Sequence, residues 1–235
     1  MALPPRRPGP PAPKAPTLPY RKLEEGRDYW ILEDALPNAK EVSERLYARP
    51  EEAWTWGLPK RAEMWPGMRS PNALTPEELA PIEAWVLKVT KAKRLWQPPS
   101  PDPSNADLSH NNAQLVGAAD SGPRPHTDSR RLAQFAGVLY LTPRPLPRSG
   151  TSFYRLRMPN GALSGNFCPS NCYNLTEALG QSKMPLNAWH EDLVIANAFN
   201  RLIVYRADLV HSATGYFGKE HREKRLTGLF FWRAD

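Results

Sequence analysis

The hydrophobic period of this chain changes near residue 112, and that change limits the folds open to it more than any other feature. Beyond it, apolar residues come in short runs: Ala113-Gln114-Leu115-Val116, the near-continuous Phe135 to Leu141, Ser152 to Leu156, Leu202 to Tyr205, and Arg225 to Trp232. Runs of this length separated by turn residues predict β-strands. Before the change the pattern is helical. Pro37-Asn38 opens a helix with Asn38 as N-cap and Glu41 three residues on; Val42 and Leu46 share a face, and Pro50 ends it. Thr75-Pro76-Glu77-Glu78 opens a second, with Leu79, Ile82, Val86 and Val89 at helical spacing. A short strand is expected at Asp28 to Leu32, and a turn with anchoring aromatics at Trp65 to Arg69. Helices first and strands afterwards predict a mainly β fold, with N-terminal helices packed on a barrel or sandwich.

At 235 residues the chain has room for one domain and a tail. Residues 1–19 carry eight prolines and are read as a polyproline II or disordered leader, an SH3-type ligand being its other use. Residues 20–235 form the single domain, divided into a helical support region (20–108) and a β core (109–235). Residues 98–107 are a predicted loop, and 158–192 an insertion rich in Asn, Ser, Gly and Pro. There is no internal repeat.

Net charge is +7 and the isoelectric point ≈ 9.5, which favours anionic partners. Arg124, Arg130, Arg131, Arg144, Arg148, Arg155 and Arg157 crowd the β half and could meet nucleic-acid phosphates, although a charge run is more often a solvated face. Cys168 and Cys172 make neither a disulfide framework nor a four-ligand zinc set; they are read as loop thiols in a reducing compartment. No apolar run is long enough to span a bilayer, and Arg6-Arg7 leads into prolines, not an apolar signal segment. A cytoplasmic protein without a membrane partner is expected.

His126-Thr127-Asp128 precedes the long apolar strand, and His211 follows the Leu202 strand. Two histidines and one carboxylate are the ligand set that holds non-heme Fe(II) with positions left open. In a strand, i and i+2 point to one side, so His126 and Asp128 can reach one metal with Thr127 turned away. A lone His-x-Asp arises often by chance; its weight comes from the strands around it and from Arg225-Leu226-Thr227. Arg225 and Thr227 are again i and i+2, a guanidinium beside a hydroxyl, suited to a carboxylate. Arg222 is the rival, but it sits in the charged run Lys219 to Lys224, more often surface than site. His110 is read as a loop residue, and His190 and His221, flanked by acids, as solvated.

The residues Pro125-His126-Thr127-Asp128, Val138 to Thr142, Gly150 to Tyr154, His211 and Arg225-Leu226-Thr227 resemble the Fe(II)/2-oxoglutarate-dependent dioxygenase superfamily, in particular its prolyl-4-hydroxylase-like group, over roughly residues 110–235. The resemblance implies a double-stranded β-helix (jelly-roll, cupin-like) core supported by α-helices. It implies iron at His126, Asp128 and His211. It implies 2-oxoglutarate chelating that iron, its distal carboxylate paired with Arg225 and Thr227, and Tyr140 either donating to that carboxylate or serving as a core aromatic. Halogenating relatives lack the carboxylate ligand; Asp128 is present, so hydroxylation or a related oxidation of a C–H bond is implied, with O2 consumed, succinate and CO2 released, and ascorbate as in vitro reductant. The substrate would be a small molecule or an amino-acid or peptidyl residue, with Asn166, Asn171, Tyr173 and Trp189 as candidate pocket residues. A nucleic-acid demethylase and a non-catalytic cupin-like binding protein are the competing readings.

Overall fold

Alternation along the last strand sets the layering of the molecule. In a computed structural model, which describes residues 17–57, 65–98, 108–181 and 184–235, this strand is β11 (Arg225–Ala234). Its even-numbered residues Leu226, Phe230 and Trp232 pack with Val42, Leu46, Ile82 and Val86 of the N-terminal helices. Its odd-numbered Leu229 and Phe231 join Tyr140, Phe153, Ile203 and Tyr205 in a second cluster. One face therefore meets the helices and the other a second sheet, as a side-chain period of two requires.

The other elements, in chain order, are β1 (Tyr29–Leu32), α1 (Ala39–Tyr47), β2 (Thr55–Trp56), β3 (Met68–Ser70), α2 (Pro76–Thr90), β4 (Leu95–Trp96), β5 (Asn112–Val116), β6 (Phe135–Tyr140), β7 (Thr151–Leu156), α3 (Leu175–Leu179), β8 (Trp189–Ile195), β9 (Leu202–Arg206) and β10 (His211–Ala213). Among the described residues, the larger sheet runs β1-β9-β6-β11-β5-β3-β2 with β4 on the end of β11, and the smaller runs β10-β7-β8. All pairings are antiparallel. Residues 126–128 extend the smaller sheet beyond β10: His126 and His211 exchange both backbone hydrogen bonds, at 3.0 and 2.8 Å, and Asp128 N–H donates to the Ala207 carbonyl at 3.0 Å. Two facing sheets with helices on one outer face make the double-stranded β-helix that the sequence led us to expect.

α2 begins as anticipated. The Thr75 hydroxyl accepts from Glu78 N–H and the Glu78 carboxylate accepts from Thr75 N–H, a closed capping box. α1 does not: Asn38 precedes it, but its side chain makes no cap bond and donates instead to Glu78 at 2.8 Å. The start of one helix is thus tied to the start of the other.

Three expectations change. The 20–108 region is more than helical support, since β1 pairs β9 at one edge of the larger sheet while β3 and β2 extend the opposite edge beyond β5. The expected turn at Trp65 to Arg69 contains the start of β3; two or three residues cannot display a period, so only pairing reveals such strands. The segment taken as tail is anchored at its end: Leu18 is buried with Tyr154, Leu156 and Val210, and Pro19 C=O accepts from Asn166 N–H. The earlier tail residues and the loop at 99–107 lie outside the described residues. The 158–192 insertion contains α3 and the first residues of β8.

Candidate metal and cosubstrate site

Backbone pairing of residues 126–128 with β10 brings His126, Asp128 and His211 together. One ligand atom from each lies within 4.8 Å of the others. His211 Nε2 stands 3.6 Å from Asp128 Oδ2. Each imidazole is oriented from behind by a carbonyl two residues upstream: His126 Nδ1 by Arg124 at 2.8 Å, His211 Nδ1 by Leu209 at 2.9 Å. A carbonyl only accepts, so Nδ1 carries a proton in both rings, which turns each Nε2 toward the position a metal would take.

His211 is buried, packed 4.5 Å centroid to centroid against both Tyr205 and His126. Burial pushes its imidazole down to about 4, with the Asp128 charge pulling the other way. It is neutral near pH 7, the state a ligand needs. Asp128 Oδ2 is sealed from solvent without a hydrogen-bond partner. A buried carboxylate oxygen lacking a donor is costly unless something positive meets it. Donor set, tautomers and orphaned oxygen all fit a divalent ion.

Thr227 of β11 lies across from Tyr140 of β6, and Arg225 two residues earlier faces the same interior. Arg225 is 3 % exposed and, among the described residues, has no carboxylate partner. Its Nε donates to Ser149 C=O at 2.7 Å and Nη2 to Gly150 C=O at 3.4 Å, and Tyr140 and Tyr216 flank it at 5.4 and 5.8 Å. Gly150 is needed for this: a Cβ there would lie 1.9 Å from the Ile195 carbonyl oxygen. The Thr227 hydroxyl is buried and unpartnered. Tyr140 is fully buried, and its hydroxyl donates to Thr151 Oγ1 at 2.9 Å. Burial pushes this phenol up, with Arg225 and Thr151 opposing. An unneutralised guanidinium beside an unused hydroxyl is what a carboxylate would complete.

Arg222 lies elsewhere, exposed in a short 3-10 turn and paired with Glu44 at 3.2 Å. Of the four candidate pocket residues, Trp189 packs with Tyr154, Leu156 and Val210 and shares with His126, Pro125, Leu175 and Met184 the lining of a cavity of about 80 Å³. Asn166 is buried but spends its side chain on the backbone of Arg21, at 3.0 and 2.7 Å. Asn171 and Tyr173 are exposed, the latter under Arg131 at 4.0 Å. Several arginines of the β half are held locally: Arg130 by Asp208, Arg148 by Glu191, Arg155 over Tyr20. His110 Nδ1 donates to the Phe231 carbonyl at 2.8 Å, with Phe230 and Trp232 beside it. His221 is not the solvated residue expected; its ring meets Tyr47 and Trp54 edge-on. His190 sits on β8, 3.4 Å from Arg157. Cys168 and Cys172 are free thiols.

Sequence reasoning missed Arg69 and Tyr216. Arg69 is the middle residue of β3, too short for its orientation to be legible, and nothing around Tyr216 in sequence sets it apart.

Fold and site together define a double-stranded β-helix carrying a His-Asp-His set that could hold a metal ion. A prolyl-4-hydroxylase of Pseudomonas putida is similar in structure at 13 % identity, with a TM-score of 0.50, covering 89 % of this chain and 94 % of that one. HygX of Streptomyces hygroscopicus, solved with nickel, 2-oxoglutarate and hygromycin B bound, is similar at 13 % identity and a TM-score of 0.50, over 89 % and 84 % of the two chains. No curated protein matches the sequence. The chain belongs to the family described as "Family of unknown function (DUF6445)", whose model matches residues 14–228. Among the described residues, no helix is long and apolar enough to cross a membrane.

Proposed function

We propose that this protein is an Fe(II)- and 2-oxoglutarate-dependent oxygenase that hydroxylates a C–H bond of a small-molecule, amino-acid or peptidyl substrate, releasing succinate and CO2. The observation that carries this reading is that a His-Asp-His set with an orphaned carboxylate oxygen and a buried, unneutralised Arg225 beside the unpartnered Thr227 hydroxyl meet at Tyr205, which packs on His211 and lies within reach of the charges of both Asp128 and Arg225. A metal site alone fits many reactions, and a buried arginine alone fits many ligands; their coincidence asks for a ligand that is a metal chelator at one end and a carboxylate at the other.

His126 Nε2, Asp128 and His211 Nε2 would hold the ion, which when bound supplies the activation of O2 that side chains cannot. The chain does the rest. Arg225, fixed by the Ser149 and Gly150 carbonyls, receives the distal carboxylate through its planar fork, and Thr227 adds a hydroxyl donor. Tyr205 and Phe153 wall His211 from solvent. His126, exposed, leaves one side of the site open to a substrate.

The test is succinate formation by purified protein with Fe(II), ascorbate, O2 and 2-oxoglutarate, wild type against His126→Ala. Succinate that disappears in the variant supports the oxygenase. Neither succinate nor binding of Fe(II) or 2-oxoglutarate would leave a binding protein on this fold.

A further inference from the structure

The inner face of the larger sheet carries a continuous row of polar side chains. Register places Arg69 of β3 opposite Gln114 of β5, Gln114 opposite Thr227 of β11, and Thr227 opposite Tyr140 of β6. Residues opposite each other on neighbouring strands share a face, so Arg69 looks into the same chamber as the Thr227 clamp. Two strand spacings separate them, about 10 Å.

Arg69 is a second cation in this chamber without an acid of its own. Among the described residues it makes no ion pair. Its Nε is sealed from solvent with no hydrogen-bond partner, and Nη1 reaches only the Leu108 carbonyl, at a long 3.4 Å. Trp65 supports the guanidinium from one side at 4.4 Å, which fixes its plane without neutralising it. Burial pushes Arg69 down to about 10, and the charge that opposes this most is Asp128. The half-buried Tyr216 is pushed up by desolvation, with Arg225, Arg124 and Arg69 opposing.

Charge balance shows what is lacking. Ligand histidines are neutral, and Asp128 would share its charge with a divalent ion. A dianionic 2-oxoglutarate then offsets Arg225 and the remaining charge on the metal. Arg69 is left positive with its Nε sealed from solvent and unpartnered, a costly state unless an anion arrives.

We propose that Arg69, held on Trp65, is the seat for an anionic group, a carboxylate or an oxyanion ester, on the primary substrate, so that the chamber takes two anions: the cosubstrate at Arg225 and Thr227, and the substrate at Arg69. This rests on the oxygenase reading above for the identity of the first anion but not for the existence of the second. The substrate class follows: an acid or a phosphate- or sulfate-bearing molecule, bound with that group toward β3 and its reacting carbon toward His126.

The experiment is calorimetric titration of Ni(II)-loaded full-length protein with 2-oxoglutarate, and then of the saturated complex with sulfate and with acetate, in wild type, Arg69→Gln, Arg69→Lys and Arg225→Gln. The expected result is that Arg69→Gln weakens sulfate or acetate binding at least about tenfold while 2-oxoglutarate affinity stays within about threefold, with Arg69→Lys in between because it keeps charge but loses the fork. Arg225→Gln should reverse the pattern. Arg69→Lys serves as the comparison if Arg69→Gln does not fold. The proposal is overturned if Arg69 variants lose 2-oxoglutarate as Arg225→Gln does, which would give Arg69 to the cosubstrate. It is also overturned if wild type and Arg69 variants bind the small anions equally, or not at all. If wild type binds no 2-oxoglutarate yet takes sulfate or acetate in an Arg69-dependent way, the oxygenase reading falls and the anion seat stands.

Discussion

Thr227 and Tyr140 face each other across β11 and β6, and only one of their two hydroxyls is in use: Tyr140 donates to Thr151 Oγ1 at 2.9 Å, whereas the Thr227 hydroxyl is buried with no partner. The contrast separates a hydroxyl spent inside the fold from one left without a partner. Tyr140 O–H links β6 to the first residue of β7 and so joins the two sheets. Thr227 contributes nothing comparable to the apo fold.

Thr227→Val should therefore move stability and binding in opposite directions. It removes a buried unsatisfied group with little change of shape, so the melting temperature of the apo protein should hold or rise. Loss of a hydrogen bond to a carboxylate costs roughly 1.5–3 kcal/mol, which should weaken 2-oxoglutarate about ten- to hundredfold. A destabilised apo protein with unchanged affinity would make Thr227 a structural residue.

The two candidate arginines should separate cleanly. Arg225→Gln should raise the KM for 2-oxoglutarate at least about a hundredfold, as loss of a desolvated charge pair costs several kcal/mol. Arg222→Ala touches an exposed pair with Glu44 and should leave KM and melting unchanged. Steady-state kinetics on both variants would decide this, and equal effects would contradict the assignment.

Gly150→Ala should break the clamp through the backbone. Its Cβ would stand 1.9 Å from the Ile195 carbonyl oxygen and 2.8 Å from Asn197 N, both backbone atoms with little room to yield. The β7 entry must shift, at a cost of about 2–3 kcal/mol, and with it the carbonyls of Ser149 and Gly150 that orient Arg225. Urea unfolding and 2-oxoglutarate titration should both register the change.

Leu18→Ala tests whether the N-terminal segment belongs to the fold. Leu18 is 6 % exposed against Tyr154, Leu156 and Val210, and truncating a leucine at such a site costs roughly 2–3 kcal/mol. A midpoint shift near zero in urea would show that the segment is not docked in solution.

Acid should destabilise the metal-free protein through its buried histidines. Burial lowers His110 to about 4, against an ordinary 6.5, with the Phe231 backbone opposing. The unfolded chain thus takes up a proton between about pH 6.5 and 4 that the folded chain refuses. The stabilisation is complete above the higher value and is lost as the pH falls toward the lower one, by at most about 3 kcal/mol for this group. His211 titrates in the same direction, so the measurement is a difference: urea midpoints at pH 7.5 and 5 for wild type and His110→Gln. The variant should lose less on acidification, and equal losses would remove His110 as a contributor.

Much of the core was legible in the sequence because its strands are long enough to show a period and buried enough to be apolar. Phe135 to Tyr140, Thr151 to Leu156 and Arg225 to Trp232 announce themselves, and the i, i+2 spacing of His126 with Asp128 and of Arg225 with Thr227 already places each pair on one side. The capping box at Thr75 is equally local. Tertiary structure alone decided what depends on partners distant in the chain. Short strands such as Met68 to Ser70 exist because β5 pairs with them, and that pairing turns Arg69 into the chamber. Asn38 anchors one helix to another rather than capping its own. Leu18 packs where composition suggested a free leader, and Asn166, Asn171 and Tyr173 stand away from the site. Pattern reports what a residue's neighbours in sequence require; burial, charge compensation and hydrogen-bond partnership are settled by residues a hundred positions away, and only the folded chain brings those together.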